Sequence, residues 1–314
     1  MFNREIGEFH LKKQIIFINY LSREEASGSF LFVGQDSIGK KDFACLASEI
    51  ILENNEKIIK NIHPDFYFVD VDTEQIVVDD ISKLEAWVFN KPFEAKKKIV
   101  IICSAEKMNL VSQNKLLKIL EEPPDYLFFF LLTSNSSMLL PTVESRCISV
   151  NLKSLPPSIV EKSLEGRFED KDLLDVALFV LDGSHDYENF YTESLIIDLV
   201  NFLKIIVLKE ASSIEQTIDY IDKFFKVKSD QRKVVNSLIR ILALLLILKH
   251  KDIKENKYLS NILLKEVSSY NITVLINRLE NLNINLMGTT LNLKIGFEEL
   301  ILDFILDNDA PSIG

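Results

Sequence analysis

Residues 30–41 have the sequence FLFVGQDSIGKK, in which four apolar residues lead into a loop that contains two glycines. A short, continuously apolar run rich in aromatic and β-branched residues is typical of a strand buried on both faces. Helical patterns lie between this run and its counterparts along the chain, which predicts a five-stranded parallel sheet flanked by helices. The other runs lie at 66–69, 98–102, 127–132 and, more weakly, 147–152.

The pattern changes after residue 153, where strand-like runs stop and amphipathic helical stretches take over. Residues 154–157, Ser-Leu-Pro-Pro, read as a linker, because proline ends the sheet region and suits the first turn of a helix. We therefore predict an α/β domain at 1–152, a small helical domain at 153–191 and an all-helical domain at 192–314.

The composition excludes several classes of protein. The 314 residues carry 36 Lys+Arg and 47 Asp+Glu, a net charge of −11, so strong DNA binding by this chain alone is not expected. The three cysteines lie far apart and form no C-x-x-C pair, which predicts free thiols and no metal site. The longest apolar run, 241–248, is far shorter than the ~18 residues of a membrane span. The start of the chain lacks the apolar core of a signal peptide, so a soluble cytoplasmic protein is expected.

The glycine loop closely matches a phosphate-binding loop, or P-loop. Residues 34–41 follow the pattern G-x-x-x-x-G-K-[ST] except that Lys41 replaces the final hydroxyl residue. In such loops the backbone cradles phosphates, the lysine contacts them and the hydroxyl binds Mg²⁺. Gly34, Gly39 and Lys40 are therefore the candidate nucleotide-binding residues. Because Lys41 puts a cation where Mg²⁺ would bind, we predict weak nucleotide binding or none.

A working P-loop site also needs an acidic pair after a neighbouring strand to hold Mg²⁺ and polarise water. Cys103 and Ser104 occupy those positions after the run 98–102, and Glu106 is expected at the surface of the next turn. We therefore predict that this chain does not hydrolyse ATP by itself. The cluster 96–98, Lys-Lys-Lys, is expected to be a solvated turn.

Ser145-Arg146-Cys147 comes directly before the fifth predicted strand. A single arginine there usually forms a salt bridge or is solvated. Its rigid and permanently charged guanidinium also suits phosphate recognition. From the rim of the sheet domain, Arg146 could reach a nucleotide held by an adjacent subunit.

Six further segments of the chain are HPDFYFVDV (63–71), IVVDDISKL (76–84), KIVIICSAEKMN (98–109), NKLLKILEEPPD (114–125), LLTSN (131–135) and LPTVESRC (140–147). They occur in the order and spacing of a known family, and together they resemble the AAA+ clamp-loader subunits of bacterial DNA polymerase III. The resemblance covers residues 28–150. Lys41 and Cys103-Ser104 depart from the motor (gamma/tau) type, and the intact Ser-Arg-Cys motif resembles the delta-prime type.

This resemblance implies roles for individual residues. Arg146 would be an arginine finger that acts in trans on the nucleotide of the neighbouring motor subunit. Ser134 and Asn135 would occupy the sensor position after the fourth strand, where we interpret them as structural. Asp186 replaces a family arginine that senses phosphate. Ser82 and Lys83 would contact primer–template DNA weakly.

The resemblance also implies that the chain works within a multisubunit complex. The chain would be a non-hydrolysing part of the polymerase holoenzyme that needs no cofactor, and the zinc module of related subunits is absent because only Cys45 lies in that region. It would join motor and delta subunits in a hetero-pentamer that loads the sliding clamp, with 153–191 as a lid and 192–314 as the collar. Two alternatives stay open: an active P-loop ATPase that tolerates Lys41, and an inactive AAA+ scaffold outside replication.

Overall fold

The computed structural model describes residues 3–53, 55–70, 75–185, 190–208, 214–227, 230–251, 256–259, 268–285 and 292–306. The chain divides into two compact units. The first comprises Met1–Ile159 and Gly183–Tyr187, and the second comprises Val160–Asp182 and Glu188–Gly314. The finer division into three domains stays a prediction.

The first unit is built on five strands: β1 (Gly28–Val33), β2 (Phe66–Val69), β3 (Lys98–Ile102), β4 (Leu127–Thr133) and β5 (Ile148–Asn151). They form one parallel sheet in the order β2-β3-β4-β1-β5, which confirms the predicted fold class. The central strands β1, β3 and β4 are almost entirely buried, as expected for continuous apolar runs between two helical layers. The edge strand β5 leaves Ile148 exposed.

Helices cover both faces of this sheet. One layer contains α1 (Arg4–Lys13), α2 (Ile15–Leu21), α3 (Lys40–Leu52) and the short α4 (Asn55–Ile59), and the other contains α5 (Val78–Val88) and α6 (Leu110–Glu121). Asn109 caps α6 by accepting a hydrogen bond from the backbone N–H of Ser112, as its position in the sequence predicts. A four-residue helix, α7 (Pro141–Glu144), leads into β5.

Aromatic packing fixes the helix that follows the glycine loop. Phe17 of α2 and Phe43 of α3 contact Phe32 of β1, with ring centroids 5.5 Å and 4.9 Å apart. Phe130 of β4 lies 5.1 Å from Phe32 on the same face. These edge-on and offset contacts place the start of α3, and with it the loop, against the end of β1.

The described part of the second unit contains helices and no strand, as the pattern after residue 153 predicts. Phe202 packs against Phe224 and Phe297, which lie on two other helices. Ile241 and Leu245 are also buried. Among the described helices, none is long and apolar enough to cross a membrane. The helices are α8 (Pro157–Ser163, which begins in the first unit), α9 (Lys171–Leu181), α10 (Glu193–Val207), α11 (Ile214–Phe224), α12 (Gln231–Lys251), α13 (Ser269–Asn285) and α14 (Leu293–Leu306).

Candidate functional site

The loop between β1 and α3 has the backbone that its glycines predict. Gly39 has φ 97°, and a Cβ on it would lie 2.1 Å from Cγ2 of Ile6. A Cβ on Gly34 would lie 2.4 Å from Cδ1 of Ile38 and 2.9 Å from the carbonyl oxygen of Leu152. Both positions therefore require glycine, one because of its left-handed backbone and both because of close packing.

Lys40 turns its side chain back into this loop. Its Nζ donates hydrogen bonds of 2.6 Å to the carbonyl oxygens of Gly34 and Gln35 and lies 3.8 Å from Oδ1 of Asp36. Burial lowers the pKa of Lys40, and the nearby Asp36 opposes that shift. The ammonium that contacts phosphate in a working P-loop thus binds the loop's own carbonyl groups.

Every carbonyl oxygen from Gly34 to Ile38 accepts a hydrogen bond from this chain. Besides the two bonds from Lys40, the Asp36 oxygen accepts from Oγ of Ser184 (2.9 Å), and the Ser37 oxygen accepts from the backbone N–H of His185 (2.8 Å). His10 of α1 donates from Nε2 to the Ile38 oxygen (2.6 Å). The loop is therefore held by side chains and backbone from three separate parts of the sequence.

Lys41 occupies the position of the metal-binding hydroxyl, and it is paired. Its Nζ lies 2.5 Å from Oδ2 of Asp70, just after β2, and 4.7 Å from the ring centroid of Phe68. Burial lowers the pKa of Lys41, but the hydrogen bond and charge of Asp70 outweigh it and raise the pKa above its ordinary value. Lys41 is therefore a cation, and its ammonium binds a carboxylate beside the loop.

The residues after β3 supply no acidic pair. Cys103 is buried, and burial raises the pKa of its thiol, so the side chain is neutral. Cys45 of α3 is similar, with its pKa raised to about 12 by burial. Within the described part of the chain, no group of three or more His, Cys, Asp or Glu residues could hold a metal ion.

Glu106, which the sequence predicts at the surface, is half-buried. The short 3₁₀ turn Ala105–Lys107 directs the side chain inward, where Oε1 accepts a hydrogen bond of 2.9 Å from Oγ of Ser134. Oε2 is buried and has no hydrogen-bond partner among the described residues. Asn135 accepts a hydrogen bond from the backbone N–H of Ser137 and so caps a second short turn. Asp186 lies outside the described residues.

The Ser145-Arg146-Cys147 segment lies away from the glycine loop. It precedes β5, whereas the loop follows the neighbouring parallel strand β1, so the two lie at opposite ends of the strands. Nη2 of Arg146 lies 2.8 Å from Oε1 of Glu121, and Nη1 donates a hydrogen bond of 2.9 Å to the carbonyl oxygen of Thr142. One third of the Arg146 side chain is exposed. Burial raises the pKa of Cys147 to about 12.

Ser82 and Lys83 lie in the first half of α5. The Ser82 hydroxyl donates to the carbonyl oxygen of Val78 (2.8 Å), one turn earlier, while Lys83 is exposed. Asp79 and Asp80 are in the first turn of the same helix. These carboxylates repel phosphate, so any contact with DNA here would be weak. The role of Ser82 and Lys83 stays a prediction.

Sequence reasoning missed several partners of the candidate residues. Asp70 had a usable signal, because it directly follows a predicted strand, and ligands bind at the carboxyl ends of the strands in such sheets. Glu121 ends α6 before two prolines, which marks a helix end but does not indicate a partner for Arg146. The sequence carried no signal for the roles of His10 and His185, because their contacts with the loop depend on how distant segments pack.

In comparison with known proteins, residues 10–156 match the family described as DNA polymerase III, delta subunit. The delta' subunit of Bacillus subtilis is 28% identical over 173 residues, which are 51% of this chain and 53% of that protein. The gamma/tau subunit of Mycoplasma pneumoniae is 28% identical over 175 residues, which are 52% of this chain and 25% of that protein. The chain thus spans about half or less of the curated relatives it matches.

A solved structure shares the fold. A DNA polymerase III gamma subunit-related protein from Thermotoga maritima superposes with a TM-score of 0.51 and 19% identity, covering 95% of this chain and 99% of that one. The delta' subunit of Pseudomonas aeruginosa is a further relative, 26% identical over 43% of this chain and 46% of that protein. Residues 10–156, just under half of the chain, are thus similar to the delta' subunits of DNA polymerase III.

Proposed function

We propose that this chain is a non-hydrolysing subunit of the DNA polymerase III clamp loader, and that it helps to place the sliding clamp on primed DNA. One observation carries the proposal: the chain's own side chains occupy the phosphate loop. Lys40 binds the carbonyl oxygens of Gly34 and Gln35, and Lys41 pairs with Asp70. A nucleotide would have to displace these bonds before its phosphates could reach the loop.

Hydrolysis needs more than phosphate binding. A P-loop ATPase holds Mg²⁺ with a hydroxyl and an acidic residue, and it positions a water molecule for attack. Here the cation of Lys41 repels a metal ion, and the neutral thiol of Cys103 replaces a carboxylate. We propose that the chain needs no cofactor and binds nucleotide weakly at most.

Arg146 would supply the chain's catalytic contribution. It lies at the end of the strands opposite its own loop, so its guanidinium is suited to a nucleotide on an adjacent subunit rather than on its own chain. Such a finger stabilises charge on the transferred phosphoryl group and is worth about 10³–10⁵ in rate in other systems. The adjacent subunit would be the motor (gamma/tau) subunit.

The rest of the assembly follows from the same proposal. Motor and delta subunits would complete a hetero-pentamer in the cytoplasm, with the helical block 192–314 in the collar. DNA would be held mainly by the assembly, because this chain carries a net charge of −11 and α5 offers only the exposed Lys83 beside two carboxylates.

The test uses this chain reconstituted with its own motor and delta subunits, the clamp and primed DNA. We expect no hydrolysis by the chain alone, and we expect Arg146→Ala to lower the ATPase rate of the complex without dissociating it. Arg23→Ala, which removes another exposed arginine of the first unit, is the matched control. Normal hydrolysis by an intact Arg146→Ala complex would contradict the proposed role of Arg146 as an arginine finger.

Two further outcomes would favour other functions. Mg²⁺-dependent hydrolysis by the purified chain would indicate an active ATPase that tolerates Lys41. Failure to assemble with the motor and delta subunits would indicate an inactive scaffold outside replication.

A further inference from the structure

Arg146 is held from two sides. The Thr142 carbonyl, which accepts from Nη1, belongs to α7, so it moves together with the arginine. Glu121, 2.8 Å from Nη2, is the last residue of α6 and belongs to a different element. The bond to Glu121 is therefore the contact that fixes the guanidinium relative to the rest of the sheet domain.

The position of Glu121 is well determined. Asn109 caps the start of α6, and Ile119 and Leu120 near its end are buried. The end of a helix also carries partial negative charge, which adds to the attraction that the carboxylate exerts on a cation. Glu121 and Arg146 are 49% and 34% exposed, so solvent screens the pair only in part.

A guanidinium in a charge-assisted bond must weaken that bond when it binds another anion. We propose that Glu121 is a competing partner for Arg146, which holds the finger on this chain until the phosphates of a neighbouring nucleotide replace the carboxylate. This inference rests on the proposed function of Arg146. A nucleotide triphosphate presents several negative charges, whereas Glu121 presents one. ADP lacks the terminal phosphate and would allow Arg146 to return to Glu121.

Glu121 is thus a positioning residue, since it acts through Arg146 and does not touch the nucleotide. Its effect is to lower the fraction of complexes in which Arg146 contacts the neighbouring nucleotide. It thereby lowers the rate at which the complex hydrolyses ATP before clamp and DNA arrive. Removing its charge should raise that rate.

The experiment measures ATP hydrolysis by the reconstituted complex without clamp or DNA. Glu121→Gln keeps the size of the side chain and an amide oxygen but removes the charge, and we expect the rate to rise about two- to fivefold. Glu122→Gln is the matched control, because it makes the same change at the next, exposed residue, which is not an ion-pair partner of Arg146. We expect Glu122→Gln to leave the rate unchanged.

A double variant separates competition from a structural effect. If Glu121 acts through Arg146, Glu121→Gln has no effect when Arg146→Ala is already present. An unchanged or lower rate for Glu121→Gln, or a gain that persists with Arg146→Ala, overturns the proposal. If Arg146→Ala leaves the rate of an intact complex unchanged, the proposed finger role of Arg146 is wrong. This outcome is distinct from one in which only the competing role of Glu121 is wrong.

Discussion

At the scale of single residues, the most informative side chain is Lys40. A lysine at this place in the sequence indicates phosphate binding, yet its ammonium donates to two carbonyl groups of its own loop. Only 11% of the side chain is exposed. In this chain Lys40 therefore stabilises the turn between β1 and α3, and the residue type alone does not distinguish the two roles.

Replacing Lys40 should separate these roles. We expect Lys40→Ala to reduce the free energy of unfolding by about 1–3 kcal/mol, because two carbonyl groups lose a charged donor. Clamp loading by the assembled complex should stay almost unchanged at temperatures where the variant is folded. Urea unfolding and a loading assay measure the two effects. A variant of normal stability that fails to load clamps would show that Lys40 serves nucleotide binding after all.

His10 should make the stability of the first unit depend on pH. Burial lowers the pKa of His10 below 6.5, against smaller opposite effects from Ile38 and Asp42. As the pH falls below about 6.5, the unfolded chain takes up a proton that the folded chain excludes, so the free energy of unfolding decreases. At pH 7.5 this loss is absent.

The comparison uses His10→Gln, which can still donate a hydrogen bond but does not titrate. We expect the free energy of unfolding of the original chain to fall more between pH 7.5 and pH 5.5 than that of the variant. Carboxylates that titrate in the same range affect both proteins and cancel in the difference. Equal losses in the two proteins would mean that His10 is protonated in the folded state.

At the scale of elements, the run 96–98, which leads into β3, shows how the carbonyl groups at the end of a helix find a hydrogen-bond donor. The run 96–98 was expected to be a solvated turn, and this is wrong for Lys98, which is 3% exposed. Its Nζ donates to the carbonyl oxygens of Trp87 (2.7 Å) and Asn90 (2.8 Å) at the end of α5 and lies 4.0 Å from the Trp87 ring centroid. Lys98 therefore caps α5, which presents the predicted DNA-contacting residues.

Two lysines of this run allow a matched test. Lys98→Met removes both hydrogen bonds from the end of α5, and we expect it to cost about 1–3 kcal/mol in the free energy of unfolding. Lys96→Met should cost almost nothing, because Lys96 is 85% exposed and its partner Glu24 is 84% exposed. Chemical unfolding of both variants measures the difference. Equal stabilities would show that α5 does not depend on this cap.

At the scale of the whole molecule, the parallel sheet separates two kinds of chemistry. The loop after β1 is filled by Lys40, whereas Arg146 before β5 lies at the opposite end of the strands with part of its side chain exposed. Parallel strands make this separation unavoidable, since all of them begin on one side of the sheet domain and end on the other. The arrangement is compatible with the proposed function, in which Arg146 acts on a nucleotide of a neighbouring subunit.

The sequence by itself determined which strands form and which residue types stand at the P-loop positions. Continuous apolar runs specify buried strands almost to the residue, because burial on both faces tolerates few polar side chains. The loss of a hydroxyl at Lys41 and of acidic residues at Cys103 and Ser104 is a matter of residue identity and needs no coordinates.

Only the tertiary structure decided where the polar side chains find partners. Ser184 donates to the loop across 148 residues of sequence, and Arg146 reaches Glu121 from another helix. Glu106 and Lys98 are turned inward by the turn and strand that carry them. A side-chain hydrogen bond needs two atoms within about 3 Å of each other, and that distance depends on how separate elements pack rather than on any local pattern.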